Sequence, residues 1–131
     1  MIEQAFNTEE GDVEVLHLAE KFDRFDDYWS PRIVGEVNEA HVKLVKLKGE
    51  FVWHHHEEED ELFLVIQGHL LIKLRDRELR LGPGDLTIIP RGVDHLPIAE
   101  DEVHVLLVEP KTTVNTGSAG GERTVAELER L

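Results

Sequence analysis

The stretch from Gly49 to Gly68, GEFVWHHHEEEDELFLVIQG, carries the strongest chemical signal in the chain. It places His54, His55 and His56 after an apolar run and before an acidic one. In an extended strand, successive side chains point to opposite faces, so His54 and His56 share one face and His55 lies on the other. Two imidazoles followed by the carboxylate of Glu61 are ligands that divalent transition metals accept. The stretch therefore predicts a metal site, the alternative being a polar strand end before a solvated acidic loop.

Length and charge narrow the class of protein. A chain of 131 residues suits a single domain over residues 1–131, because domains cluster near ~100–150 residues. Its 28 acidic residues exceed its 14 lysines and arginines, which disfavours nucleic acid and anionic membranes as partners. The chain has no cysteine, so disulfides, zinc–thiolate sites and iron–sulfur clusters are excluded and any metal must be held by histidine and carboxylate. With no leader pattern and no apolar run near ~20 residues, a cytoplasmic protein is expected.

Short apolar or alternating segments recur between turn signals along the chain. Besides the histidine strand, they predict strands at 13–18, 32–37, 42–47, 62–66, 70–74, 78–81, 86–89, 93–98 and 103–108. Leu18, Phe22 and Phe25 have the spacing of a brief helix. This even rhythm with little helix favours an all-β sandwich or barrel.

The segment after Pro110 has a different pattern. Residues 115–121 are rich in glycine and predict a loop, and Thr124 with Glu127 forms a candidate capping box. Val125, Leu128 and Leu131 would then share one side of a short C-terminal helix, expected to pack against the barrel or a partner.

A second cluster of motif residues follows at Gly84, Pro90, Gly92 and His95, spaced as G-x5-P-x-G-x2-H. The first cluster has the spacing H-x-H-x4-E-x6-G over residues 54–68, with fifteen residues between the two clusters. Together they resemble the two motifs of the cupin superfamily in its compact, single-domain microbial form. The resemblance implies a jelly-roll, or double-stranded β-helix, barrel with short N- and C-terminal helical segments. Its motif core would span 41–110, followed by the C-terminal loop and helix at 111–131.

The resemblance also implies the metal ligands, which by residue are His54, His56, Glu61 and His95. They would hold one divalent transition metal, with Fe, Mn, Ni, Zn and Cu all open. The chain departs from the family pattern in two places, a spacing of four residues instead of five after Gly49 and Ala99 in place of Asn. The first departure leaves a rival register, in which His55 is the first ligand and Glu57 replaces the second histidine.

The alternation of side chains along a strand predicts which residues near these ligands face the metal and which face outward. Phe63 and Val65 share the parity of Glu61 and are expected to line the cavity beside the metal. Three residues are expected to face outward and suggest a homodimer contact or cover by N-terminal strands: Phe51, Trp53 and His55. Among the other histidines, His104 is interpreted as structural with a role beside the site as the alternative, and the expected surface set is His17, His41 and His69.

The resemblance does not fix one activity, because a fold does not fix function. The sequence predicts a metal-dependent enzyme acting on a small, oxygen-rich metabolite, of a dioxygenase type or a sugar or keto-acid isomerase type. The alternative is a non-catalytic metal- or sugar-binding or sensor module, and no catalytic residue is assigned. A buried cation would indicate an anionic substrate, but one sequence does not decide which lysines among Lys43, Lys46, Lys48 and Lys73 point inward.

Overall fold

The computed structural model describes residues 13–131, so the predicted start of the domain at residue 1 lies outside the described residues. A helix precedes eight strands in this part of the chain. The elements are α1 (Leu18–Phe22), β1 (Arg32–Val37), β2 (Ala40–Glu50), β3 (Glu61–Gln67), β4 (Leu70–Leu74), β5 (Glu78–Leu81), β6 (Leu86–Ile89), β7 (His95–Pro110) and β8 (Glu129–Arg130). The predicted all-β jelly roll is confirmed. No helix within residues 13–131 is long and apolar enough to cross a bilayer.

Strand β7 is the centre of the sheet. Along one side it pairs antiparallel with β2. Along the other side its first part pairs with β4 and its second part with β3. Beyond these neighbours, β5 pairs with β4, β6 pairs with β3, and β1 pairs with β2. Both motif regions are therefore fixed to the same long strand.

The core lies on both faces of β2, which explains its unbroken buried run. Val45 and Leu47 belong to the larger apolar cluster inside the barrel, together with Phe63 and Val105. The alternate face carries Leu44, which packs in a second cluster with two aromatic residues of the α1 region, Phe22 and Phe25. Because each face meets its own apolar layer, residues 43–47 in the middle of β2 are all buried.

Three predicted strands, at 13–18, 93–98 and 103–108, differ from the structure. Residues 13–17 have no regular structure, and the helix predicted from Leu18, Phe22 and Phe25 forms at α1 instead. Residues 93–98 and 103–108 do not form separate strands, since β7 runs without interruption through the acidic residues between them. It stays extended there because β2 follows it to the pair Glu50 and Ile98, with a register shift between Leu47 and Gly49.

The predicted C-terminal helix is wrong. Residues 111–128 form turns and loop, and the two-residue β8 adds in parallel to β1. A helix of this length has little intrinsic stability, so tertiary contacts decide the conformation. Here the side chain of Asn115 accepts a hydrogen bond from Val125 N (2.8 Å) and donates one to Arg123 O (2.9 Å). Leu131 joins the second apolar cluster, and its N–H donates to Ile33 O (2.9 Å).

Candidate metal centre

Backbone hydrogen bonds bring the two motif regions together. The N–H of His54 donates to the carbonyl of His95 (3.1 Å), and the N–H of His95 donates to the carbonyl of His54 (2.9 Å). This isolated bridge replaces the predicted histidine strand, because residues 55–60 leave the sheet as a loop. The N–H of Gly92, whose φ of 80° favours glycine, donates to His56 O (2.8 Å) and fixes the following turn to that loop.

Four buried side chains converge at this point. Each of His54, His56, Glu61 and His95 offers one ligand atom, and these atoms all lie within 4.8 Å of one another. Oε1 of Glu61 lies 3.3 Å from Nε2 of His56 and 3.3 Å from Nε2 of His95. Three imidazole nitrogens and one carboxylate oxygen form a donor set suited to a borderline divalent metal.

The hydrogen bonds of the rings direct the free nitrogens inward. Nδ1 of His54 lies 2.9 Å from Val52 O, and Nδ1 of His95 lies 2.9 Å from Val93 O. A carbonyl accepts only, so each Nδ1 carries the hydrogen and each Nε2 keeps a lone pair for a ligand. These partners fix both imidazoles in the tautomer that a metal ion needs.

The inward-facing atoms lack hydrogen-bond partners. Among the described residues, the buried polar atoms without one include both ring nitrogens of His56, Nε2 of His95 and Oε1 of Glu61. Unpaired buried polar groups cost free energy, and a native protein rarely leaves several of them together. A bound cation would satisfy one ring nitrogen of His56, Nε2 of His95 and Oε1 of Glu61 at once, so the residues present fit a metal ion.

The protonation states at the site agree with this fit. Burial, reinforced by the nearby His95, lowers the pKa of His54 to about 4. Burial alone would raise the pKa of Glu61, but the imidazoles of His56 and His95, each 3.3 Å from its carboxylate, outweigh it and hold this pKa well below its usual range. At neutral pH the site therefore offers a neutral His54 imidazole and an ionised Glu61 carboxylate, the forms that bind metals.

His55 lies outside this group. Its Nδ1 is 2.9 Å from Oδ1 of Asp94 and its Nε2 is 3.1 Å from Oε2 of Glu57. Both ring nitrogens are thus engaged by exposed carboxylates. The rival register, with His55 and Glu57 as ligands, does not match the structure.

A small cavity of about 40 Å³, with room for about three water molecules, is lined by two of the four residues, His54 and Glu61. Its apolar wall includes Trp29, Phe51 and Phe63, with the Phe51 ring stacked on Trp29 at 4.6 Å and edge-on to His54 at 5.4 Å. The outward orientation predicted for Phe51 is therefore wrong, because the chain turns into a loop at the end of β2. Phe63 lines the cavity, whereas Val65 lies fully buried in the core further along β3.

Comparison with known proteins defines the family. The chain matches the family described as "Cupin domain" over residues 41–109, a range that contains all four converging residues. The protein belongs to the cupin family.

Solved cupin structures support this assignment over most of the chain. A cupin-2 domain containing protein from Shewanella frigidimarina is 43% identical, with 74% of this chain and 95% of that chain covered and a TM-score of 0.73. Protein NMB1881 from Neisseria meningitidis is 25% identical, with 75% of this chain and 100% of that chain covered and a TM-score of 0.68.

The uncharacterized protein YdbB of Bacillus subtilis is 44% identical over 63 residues, which are 47% of this chain and 56% of YdbB. The match thus spans about half the length of this curated relative.

This cupin also carries a buried ion pair that the sequence analysis missed. Nζ of Lys43 lies 2.6 Å from Oε2 of Glu109, and both side chains are 2% exposed. Oε1 of Glu109 has no hydrogen-bond donor within residues 13–131, and Glu109 lines the cavity beside Glu61. Burial and the neighbouring Glu61 raise the pKa of Glu109 well above its usual range. The alternation of side chains along the strand could have indicated that Glu109 is buried, since it follows Val105 and Leu107 on the inward face of β7.

Residues 111–131, here called the C-terminal strap, cover the histidine loop. The N–H of Ser118 donates to His55 O (2.8 Å), and the N–H of His55 donates to Oγ of Ser118 (3.1 Å). Gly117 is packed so closely that a Cβ would lie 2.3 Å from His55 O. Asn115 lines the cavity itself. The strap therefore closes one side of the candidate site of this cupin, which no sequence motif indicated.

The remaining histidines lie away from the cavity. His104 stacks on Phe22 at 4.5 Å and its Nε2 is 2.7 Å from Glu102, so it has the structural environment expected. His17 and His69 are exposed as predicted. His41 is largely covered, with 12% of its side chain exposed, so its surface assignment is wrong.

Proposed function

We propose that this cupin is a metal-dependent enzyme acting on a small, oxygen-rich metabolite held over His54, His56, Glu61 and His95. The observation that carries the proposal is the convergence of four buried ligand atoms, several without a hydrogen-bond partner among the described residues, beside a cavity that His54 and Glu61 line. Buried polar atoms without partners would be costly in a purely structural barrel.

The proposed cofactor is one divalent transition metal, from among Fe, Mn, Ni, Zn and Cu. When bound, such an ion supplies Lewis-acid polarisation of a chelating substrate and, if redox-active, electron transfer. The carboxylate of Glu61 would offset part of the ion's charge. Phe51 and Phe63 would exclude water from the cavity wall and so strengthen the interaction between the ion and the substrate oxygens.

Two reaction types remain within the proposal, a dioxygenase type and a sugar or keto-acid isomerase type. The test is to prepare the apoprotein, reload it separately with Fe(II), Mn(II), Ni(II) and Zn(II), and measure oxygen uptake and product formation with diketones, keto acids and simple sugars. An oxygenase must consume dioxygen and fail with Zn(II), whereas an isomerase should work without oxygen. Turnover that survives complete removal of metal would contradict the proposal.

The small volume of the cavity favours a second candidate, a metal- or sugar-binding or sensor module without turnover. Such a module would bind a ligand in the metal-loaded form but release it unchanged. Equilibrium binding measured beside product analysis separates the two functions.

We also propose a cytoplasmic homodimer with no nucleic-acid or membrane partner. The excess of acidic side chains supports the last part of this proposal. Exposed Leu86 and Ile88 support the dimer, since they lie on β6, whose pairing within the described residues is with β3 alone. Light scattering should give about twice 15.0 kDa, and a monomer at micromolar concentration would contradict the dimer.

A further inference from the structure

The polar side chains of the cavity wall are few, and most are already satisfied. They are Trp29, His54, Glu61, Glu109 and Asn115. Nε1 of Trp29 donates to Lys48 O (2.9 Å). The amide of Asn115 bonds to the backbone of the C-terminal strap through both its oxygen and its nitrogen. Outside the proposed metal ligands, the side-chain atom left for a substrate is Oε1 of Glu109.

No lysine or arginine of the described chain lines this cavity. Lys43 is buried nearby, but its ammonium is held at 2.6 Å by Glu109. Lys46 is also buried, and its Nζ donates to Phe25 O (2.6 Å) beside the second apolar cluster. The charge of Lys43 is thus engaged by Glu109, and Lys46 lies on the other face of β2, away from the cavity.

Arg123 of the strap is the cation that approaches the cavity from outside. Its guanidinium lies 5.6 Å from the ring centroid of Phe51, a residue of the cavity wall. Arg123 is itself exposed and does not line the cavity. Arg123 is therefore the residue to test as an alternative site for binding an anion.

From these contacts we infer that the cavity selects a substrate whose part remote from the metal is uncharged, such as a hydroxy-ketone or diketone without phosphate or a second carboxylate. The Lys43–Glu109 pair enforces this selection, because Glu109 holds the lysine ammonium at 2.6 Å and so keeps it from an anion in the cavity. A buried anion without a cationic partner is strongly disfavoured, and Oε1 of Glu109 accepts a hydrogen bond from a hydroxyl but repels a phosphate. This inference rests on the proposed function.

The test uses two probes, dihydroxyacetone and dihydroxyacetone phosphate. They share a hydroxy-ketone end that can chelate a metal and differ by one phosphate at the other end. Binding of each to zinc-loaded protein is measured by calorimetry and by ligand-observed NMR at neutral pH. We expect the wild type to bind dihydroxyacetone at least about tenfold more tightly than its phosphate, the scale of one charge-assisted contact.

Glu109→Gln tests the ion pair. Its amide oxygen still accepts from Lys43, but the lysine charge is no longer cancelled. The preference for the uncharged probe should then fall by about tenfold. Glu100→Gln is the matched control, because it removes the same charge from an exposed position of β7 and should leave the preference unchanged. Arg123→Gln should also leave it unchanged. Melting temperature and zinc content are recorded for every variant.

Tight binding of the phosphate to the wild type would overturn the inference, and this result does not depend on any variant folding. An unchanged preference in zinc-loaded Glu109→Gln would overturn it too, as would selective loss of phosphate binding in Arg123→Gln. If neither probe binds the zinc-loaded wild type, the proposed function fails together with the inference. Binding of the phosphate alone leaves the proposed function standing and overturns only the inference.

Discussion

His54 and His95 exchange two backbone hydrogen bonds, of 3.1 and 2.9 Å, although they come from motifs far apart in the sequence. This bridge brings both imidazoles to the ring of His56 and the carboxylate of Glu61, so each of the four residues is expected to contribute to one metal site. The site can then be tested by removing its members singly.

His95→Ala should lose most of the bound metal. Removing a ligand should weaken binding beyond the 10–100-fold that is typical for loss of a residue that merely supports a ligand. Metal content after dialysis against a weak chelator measures the effect. His69→Ala is the control, because His69 is exposed and lies outside the group. Full metal content in His95→Ala would contradict the assignment.

The apoprotein should lose stability as the pH falls from 6.5 towards 4. Burial and His95 lower the pKa of His54 to about 4 in the folded protein. Between these pH values the unfolded state binds a proton that the folded state does not. The free energy of unfolding therefore decreases as the pH decreases. The contribution of His54 is about 3 kcal/mol at ~1.4 kcal/mol per pKa unit.

Urea unfolding of the apoprotein at several pH values measures this dependence, and His54→Gln isolates the contribution. The variant lacks the titrating imidazole, so its stability should decline less over the same range. Parallel curves for wild type and variant would show that His54 is not the group responsible.

Gly117→Ala should loosen the C-terminal strap. Its φ is 51°, and a Cβ would lie 2.3 Å from His55 O, so both the backbone and the contact become strained. We expect a loss of about 1–3 kcal/mol in the free energy of unfolding and faster release of metal. Gly120→Ala is a matched control, since Gly120 also has a positive φ, of 60°, but an added Cβ meets nothing within 4 Å. Equal effects of the two substitutions would argue against close packing of the strap on the histidine loop.

Lys43→Met should destabilise the protein by about 3–5 kcal/mol, because it leaves Glu109 buried without its cation. The double variant Lys43→Met with Glu109→Leu should recover much of this loss, as apolar replacements of buried ion pairs often do. Urea unfolding of both single variants and the double variant completes the thermodynamic cycle. A Lys43→Met protein within about 1 kcal/mol of wild type would mean that water reaches the pair.

The sequence was informative where chemistry and spacing coincide. Residues 54–68 and 84–95 resemble the two cupin motifs, and this resemblance predicted the fold and the four converging residues together. Strand boundaries at β1, β4, β5 and β6 followed from the alternation of apolar residues between turns.

Other parts of the site depend on contacts that parity and motifs do not encode. Phe51 faces the cavity because the chain leaves β2 just before it, and one sequence does not specify the direction of that turn. The strap has its conformation because Asn115 and Ser118 bond to distant backbone groups. The pairing of Lys43 with Glu109 needs the register between β2 and β7, which the alternation alone leaves open.

The length of β7 limits how this protein can vary. His95 lies at its first residue and Glu109 near its last, and both are buried on the same parity as Val103, Val105 and Leu107. A single-residue insertion between them would turn the side chains at one end of the strand to the opposite face, while those at the other end kept their orientation. His95, a proposed metal ligand, would then no longer share a face with Glu109, the partner of Lys43. Changes of length should therefore be tolerated in the turn at 75–77, which is exposed, far more readily than anywhere in β7.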